Sequence, residues 1–310
     1  MTLPNIIAHA DWGTSPGKRW MVKATLTGGV YQLGNLECVA DLQKFVASIC
    51  RECANGKRIM LGFDFPIGLP AAYAKKAGIE SFRTELSTFG SGRWKNFFEV
   101  AQAPNQISIE RPFYPARPGK TKQQHLVDAL GLDCIDQLRR RCDLPQPGRN
   151  AACPLFWTLG ANQVGKGAIV GWRDVLQLLI RSLNDKVRIW PFDGSLETLL
   201  DVPGVVIVET YPAEIYGHLG ITLGKEGKRK QKVRQDAALA MIQWAGKAGV
   251  DITQSRSMIE DGFGTDPDGE DKFDAVVGVM GMLNVILGFR QTGEPRDEFV
   301  GKIEGWILGQ

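Results

Sequence analysis

Three apolar runs in this chain each end in a carboxylate. They are IIAHAD, closed by Asp11, RIMLGFD, closed by Asp64, and GVVIVE, closed by Glu209. Short apolar runs bounded by turn and breaker residues predict buried strands, and strands joined through a helix pair in parallel. An ionised carboxylate among buried apolar neighbours is costly unless it is paired or bound to a metal. The runs therefore predict a sheet whose strand ends carry acids that are paired or bound to a metal.

The segments around these runs predict the rest of the sheet. Two further strands, joined by turns to the first run, form a three-stranded antiparallel meander. A helix with Asp41 as its N-cap then leads into the strand that ends near Asp64. The predicted strands lie near 5–11, 20–26, 30–39, 58–65 and 204–212, and the predicted helices near 41–55, 230–247 and 271–288. This order predicts an α/β fold with a mixed sheet of an antiparallel meander plus parallel strands, flanked by helices.

A long segment separates the two halves of this pattern. Residues 71–203 are rich in Pro, Arg and aromatic side chains and are too many for a loop. Helical patterns near 121–142 and 171–184 predict an inserted helical lobe or cap. We therefore expect a core made of 1–70 and 204–310, interrupted by this insertion.

Composition limits the setting in which the chain works. Its 44% hydrophobic and 23% charged residues are ordinary for a globular protein, which argues against disorder. The longest uncharged run, Ala275 to Phe289, is shorter than a membrane span needs, so we expect no membrane partner. Six cysteines occur without a recognisable signal peptide, which favours a reducing cytoplasm. The net charge of +3 is too small to indicate nucleic acid by itself.

The acids predict a metal site. Helix 271–288 begins DKFDA, and Asp271 and Asp274, three residues apart, share a face. Any one acid at a strand end could instead be a helix cap or an ion-pair partner. Gathered together, however, Asp11, Asp64, Glu209 and the helix pair would repel one another unless cations neutralised them. All-oxygen ligands suit two Mg²⁺ or Mn²⁺ ions.

Three short motifs carry a resemblance to a known family. DFPIGLP, ETYPAE and DKFDA resemble the predicted nucleases catalogued as domain of unknown function 429, which are similar to ribonuclease H and Holliday-junction resolvases. The resemblance covers about 1–70 and 204–290. It implies a ribonuclease-H-like fold and two-metal hydrolysis of phosphodiester bonds, with Asp11, Asp64, Glu209 and Asp274 as catalytic residues. Asp11 would contact both ions, Asp64 and Asp274 or Asp271 one each, and Glu209 would be an added ligand.

Two basic segments favour a nucleic-acid substrate, DNA or RNA. Residues 225–234 contain six basic residues against one acid, and 111–125 mix Arg and Lys with Phe113 and Tyr114. Such stretches can contact phosphates and stack on bases, although a solvated helix start and a surface loop would look the same. The predicted nucleic-acid contacts are Arg111, Arg117, Lys225, Lys228 and Arg229.

Two other functions remain open at this point. ADWGTS also resembles the phosphate loop of actin-like kinases, which would make the protein an ATP-dependent phosphotransferase. A nucleic-acid-binding module with a decayed site is the other alternative. Metal titration separates the module from both enzymes, and ATP binding separates the kinase from the nuclease.

Overall fold

A computed structural model describes residues 2–146, 149–160, 164–224 and 226–310. Within these residues, seven strands form one sheet. They are β1 Ile6–Trp12, β2 Arg19–Thr27, β3 Val30–Leu33, β4 Glu37–Cys38, β5 Arg58–Phe63, β6 Val187–Ile189 and β7 Gly204–Glu209. The main order is β3-β2-β1-β5-β7-β6, and β4 pairs with β2.

The sheet is mixed, as the sequence predicts. The meander strands β1, β2 and β3 pair antiparallel, whereas β1, β5, β7 and β6 run parallel to one another. The carboxyl ends of β1, β5 and β7 therefore lie at one edge of the sheet, where open α/β sheets bind ligands.

Helices cover both faces of the sheet. The helix α1 Leu42–Ala54 packs on one face, where Asp41 caps it by accepting a hydrogen bond of 3.0 Å from the Lys44 amide. The opposite face is covered mainly by α9 Gln231–Ala248 and α11 Gly269–Ile286. The other α-helices are α2 Ala71–Ala77, α3 Phe82–Glu85, α4 Gln124–Leu130, α5 Val164–Val170, α6 Gln177–Leu183, α7 Leu196–Leu200, α8 Pro212–His218 and α10 Arg256–Glu260.

The insertion shares its core with the sheet. Phe82 and Trp172 from the insertion pack in the same apolar cluster as Phe63 and Ile207 from the central strands. Because β6 pairs with β7, the stretch 71–203 that the sequence assigns to the insertion includes one strand of the sheet. An inserted strand on the sheet edge explains why the two parts pack as one body.

The helical content of the insertion also differs from the prediction. The pattern over 121–142 contains only α4, which stops because Gly131 adopts a left-handed backbone with φ of 63°. Two 3-10 turns, Ile135–Leu138 and Arg141–Asp143, follow it. The second predicted stretch is part of a continuous run made of α5, a π-helical segment Gly171–Leu176 and α6.

The segment after α11 returns to the sheet. The π-helical turn Val300–Glu304 places the Glu304 carboxylate where it accepts hydrogen bonds from the amides of Ala71, at 3.1 Å, and Arg141, at 2.8 Å. The Leu308 amide then donates to the Glu209 carbonyl at 2.9 Å. This segment thus joins the insertion to the end of β7.

The helices bear on the expectation that the protein has no membrane partner. No helix in the described ranges combines the length and the apolar character that crossing a bilayer requires. The apolar run from Ala275 falls mainly in α11, which is buried against the sheet.

Candidate functional site

Asp11 and Asp64 lie side by side where β1 and β5 end. Ala10 is opposite Phe63 in the parallel register, so the next residue of each strand, Asp11 and Asp64, shares one row and one face of the sheet. The Trp12 amide donates to Asp64 Oδ1 at 2.8 Å, and the two carboxyls lie within hydrogen-bonding reach of each other. The local strand geometry therefore brings together two acids that are far apart in sequence.

Helix α11 brings a third acid to the same face. His9, two residues before Asp11, points towards α11, where its Nδ1 donates to the Ala275 carbonyl at 3.2 Å. Asp11 projects from the same face as His9 because strand side chains alternate. Asp274 precedes Ala275 and is near enough to Asp11 and Asp64 to raise the pKa of both carboxyls. Three elements thus supply one acidic cluster, defined here as Asp11, Asp64 and Asp274.

The electrostatics of the acidic cluster disfavour three negative charges. Burial, and then repulsion from Asp64 and Asp274, hold the pKa of Asp11 well above its ordinary value. Burial raises the pKa of Asp64 to about 6, although the Trp12 amide partly offsets the shift. Burial also raises the pKa of Asp274. Such shifts are common where acids gather to bind a cation or a proton.

Asp274 already has two partners. The Lys228 ammonium group forms an ion pair with Asp274 Oδ2, and the Tyr216 hydroxyl donates to Oδ1 at 2.5 Å. Asp274 is 5% exposed, and these two groups contact both of its carboxylate oxygens. Burial lowers the pKa of Lys228, but Asp274, Asp11 and Glu270 together raise it above its ordinary value, so the ammonium form is favoured. Lys228 is therefore part of the site.

Asp271 lies at the margin of the acidic cluster. Its carboxylate is 3.5 Å from the Lys18 ammonium group, which also pairs with Asp268. Lys18 closes the loop after β1, where a Cβ on Gly13 would lie 2.5 Å from the Lys18 carbonyl oxygen. The tight glycine turn thus places Lys18 at the start of α11, where it pairs with both Asp268 and Asp271.

Glu209 does not join the acidic cluster. It is opposite Phe63 in the register, so its side chain points to the other face of the sheet from Asp64. There both carboxylate oxygens accept hydrogen bonds of 2.6 Å from the buried Arg140 guanidinium, and one also accepts from the Ile67 amide. The expectation that Glu209 is a catalytic metal ligand is thus corrected, because strand alternation places it in a structural ion pair.

A cavity of about 550 Å³ opens beside Asp11 and Asp64. Its lining comes from the core and from the insertion, including Trp12, Tyr211, Arg149, Cys153 and Gly167. The insertion thus forms part of the wall of the cavity that Asp11 and Asp64 line. Arg149 and Tyr216 have roles here that sequence reasoning misses, since neither lies in a motif and only tertiary packing brings them to the acids.

The basic residues predicted from segment 111–125 differ in placement. Arg111 is half-buried and donates to the Val100 carbonyl at 3.2 Å, with Glu99 3.5 Å away. Arg117 is exposed. Arg111 is thus turned into the insertion, where it stabilises the fold, and only Arg117 is presented to solvent.

The basic residues predicted from segment 225–234 also differ in placement. Lys225 lies outside the described residues. Lys228 is bound to Asp274 within the site rather than presented on a surface, whereas Arg229 is 78% exposed with its Nε 3.8 Å from a Glu270 oxygen. Of the two described residues, Arg229 is the one open to a phosphate backbone.

The donor atoms suit a hard divalent cation to a limited extent. In the part of the chain that the structure describes, no group of three or more His, Cys, Asp or Glu side chains is arranged to hold a metal ion. Asp11 and Asp64 are nevertheless adjacent carboxyls facing a cavity, and Mg²⁺ commonly binds through one or two carboxylates with water completing its shell. The site therefore fits an ion held by this pair.

Comparison with known proteins adds no relative. No protein-family model, no curated protein and no solved structure matches this chain.

Proposed function

We propose that this protein is a divalent-metal-dependent nuclease with a ribonuclease-H-like core. The observation that carries the proposal is the acidic cluster: Asp11, Asp64 and Asp274 come from β1, β5 and α11 and meet at the carboxyl edge of the parallel strands. Burial raises the pKa of all three acids, repulsion between them adds to the shift at Asp11 and Asp64, and a divalent cation would stabilise their ionised forms.

The fold supports this proposal. An antiparallel meander followed by parallel strands, with a C-terminal helix that carries Asp274, is the arrangement that the resemblance to the domain of unknown function 429 implies. Fold alone does not define an activity, so the argument depends on the acids. Two of the four predicted catalytic residues, Asp11 and Asp64, line the cavity, and Asp274 lies behind them.

Asp11 and Asp64 are the residues that would hold Mg²⁺ or Mn²⁺. A bound ion lowers the pKa of a water ligand and neutralises charge on a phosphate. The cavity beside these acids has room for a phosphate and its flanking sugar, and Arg149 is among its lining residues. In the hydrolysis, a water oxygen bonds to phosphorus, the ester P–O bond breaks, and its electron pair leaves on the ester oxygen, which takes up a proton. The proton lost by the water passes to solvent.

Cleavage assays with matched variants test the proposal. The purified protein is incubated with labelled single-stranded, duplex and four-way-junction DNA and with RNA, in Mg²⁺, Mn²⁺ or EDTA. We expect cleavage of at least one substrate in Mg²⁺ or Mn²⁺ and none in EDTA. Asp11→Asn and Asp64→Asn should each lower the rate by ~100-fold or more, the scale of removing one electrostatic group from an active site.

Asp236→Asn is the control for these variants. Asp236 lies on the exposed side of α9, where it pairs with Lys232. Its substitution should leave cleavage unchanged. A wild-type protein that cleaves none of these substrates in either metal, or an Asp11→Asn variant as active as the wild type, contradicts the proposal. Metal-dependent ATP turnover without cleavage would favour the phosphotransferase instead.

A further inference from the structure

The ion pair between Lys228 and Asp274 changes what the site can hold. Lys228 contacts one oxygen of Asp274 and the Tyr216 hydroxyl contacts the other. Each oxygen therefore already has a partner in the absence of a metal ion. Asp11 and Asp64 line the cavity and are the members of the acidic cluster best placed to hold an ion.

Hydrogen bonds from Arg234 fix the backbone of Lys228 in this position. Arg234, on the first turn of α9, is 2% exposed, and its guanidinium donates to the Lys228 carbonyl at 2.6 Å and to the Arg229 carbonyl at 3.1 Å. It also donates to the carbonyls of Gly262 and Gly264, both at 2.7 Å. A buried arginine therefore joins the segment that carries Lys228 to the loop before α11.

The close packing of Arg234 fixes the same arrangement relative to Asp274. A Cβ on Gly269, the first residue of α11, would overlap the Arg234 guanidinium. Because α11 also carries Asp274, the backbone of Lys228 and that of Asp274 are both held through Arg234. The contact between the two side chains is thus built into the fold and is more than a chance surface pair.

The charges indicate how many ions such a site takes. Asp11, Asp64 and Asp274 carry three negative charges when ionised, and Lys228 contributes one positive charge, which leaves a formal charge that a single divalent cation balances. Asp271 lies outside this cluster, and the Lys18 ammonium group 3.5 Å away offsets part of its charge. A second divalent cation would have to enter beside the Lys228 ammonium group, against its repulsion.

We propose that Lys228 supplies the second positive charge of this site, so that the protein binds one divalent cation where related nucleases bind two. The inference rests on the proposed function and deepens it. Asp274 then acts as a positioning residue for Lys228, whose ammonium group lies near enough to Asp11 and Asp64 to offset part of their charge. Asp11 and Asp64 alone hold the ion.

The test counts ions and needs no activity. Manganese stoichiometry is measured by titration calorimetry, with electron paramagnetic resonance of free Mn²⁺, on the wild type and on Lys228→Met. We expect one Mn²⁺ per wild-type chain and two per Lys228→Met chain, because the substitution removes the competing charge and frees an Asp274 oxygen. Lys232→Met, which removes an exposed lysine of α9, should bind one ion and is the matched control.

Asp274→Asn keeps the test decisive if Lys228→Met does not fold. A positioning role for Asp274 predicts that this variant still binds one Mn²⁺, with a dissociation constant changed less than ~10-fold, whereas a ligand role predicts loss of an ion. Two ions on the wild type, no Mn²⁺ binding at all, or a folded Lys228→Met that binds one ion as the wild type does would overturn the inference. The expected stoichiometries with no cleavage of any substrate would instead reject only the nuclease function.

Discussion

At the scale of single residues, the environment of Asp64 makes a pH-dependent contribution to stability. Its pKa rises from 3.8 to about 6 on folding, chiefly through burial, so the folded state holds its proton at pH values where the unfolded state has released it. This contribution of Asp64 to the stability of the metal-free protein is therefore lost as the pH rises from about 4 to about 6, and the loss is complete above that range.

Asp64→Asn should remove part of this pH dependence. A pKa difference of this size corresponds to at most roughly 3 kcal/mol, and since the side chain is only half-buried we expect about 1–2 kcal/mol. Urea unfolding in EDTA between pH 4 and 8 should show a smaller decline for Asp64→Asn than for the wild type. A variant that follows the wild-type curve throughout, or one that is less stable at pH 7, would contradict this account.

The sequence marks the acids at the strand ends, and the structure brings Asp11, Asp64 and Asp274 together but leaves Glu209 apart. Strand β7 is buried on both faces, so GVVIVE shows no alternation of apolar and polar residues that would reveal which way Glu209 points. Only its register opposite Phe63 determines the face. A carboxylate at a strand end is visible in sequence, but its orientation is not.

At the scale of elements, α11 depends on a close approach to β1. Gly278 faces His9, and a Cβ at this position would overlap the imidazole ring. His9 is itself fixed by the Ala275 carbonyl and by the Thr210 hydroxyl, at 3.2 and 2.7 Å. Since Asp274 lies one turn before Gly278, this contact fixes the distance of Asp274 from Asp11 on β1.

Gly278→Ala should push α11 away from the sheet. We expect a loss of about 1–3 kcal/mol in the free energy of unfolding, the usual cost of overpacking a core, together with weaker metal binding. Gly246→Ala in α9 is the matched control. A Cβ there meets nothing within 4 Å, so alanine should stabilise that helix by roughly 0.5–1 kcal/mol. Chemical denaturation of both variants checks the pair, and equal effects at the two positions would contradict the packing argument.

At the scale of the whole molecule, a buried ion-pair network holds the insertion to the core. Arg140, fully buried, pairs with Glu209 at the end of β7 and with Asp143 in its own turn. The sequence predicts the insertion and the strand, but the network depends on a contact between residues 69 positions apart, which no local pattern encodes. For the same reason, the sharing of one core by the insertion and the sheet was outside the reach of the sequence.

Arg140→Met should be among the most damaging single substitutions. It leaves Glu209 and Asp143 buried without their cation, which costs about 3–5 kcal/mol. Adding Glu209→Gln should recover part of this loss, because it removes one of the two buried negative charges that lack a cation. Guanidinium unfolding of the single and double variants measures the recovery. A double variant less stable than Arg140→Met would show that Glu209 contributes by other contacts.

The position of Glu304 has a consequence for how the chain is made. This carboxylate accepts the amides of Ala71 and Arg141, residues synthesised long before it. A nascent chain emerging from the ribosome can form the Arg140–Glu209 pair once β7 is complete, yet those two amides stay without their acceptor until residue 304 has followed. The contacts of Glu304 with the insertion therefore form only after residue 304 has been synthesised. Until then, a chaperone that binds the nascent chain would encounter these two amides without their acceptor.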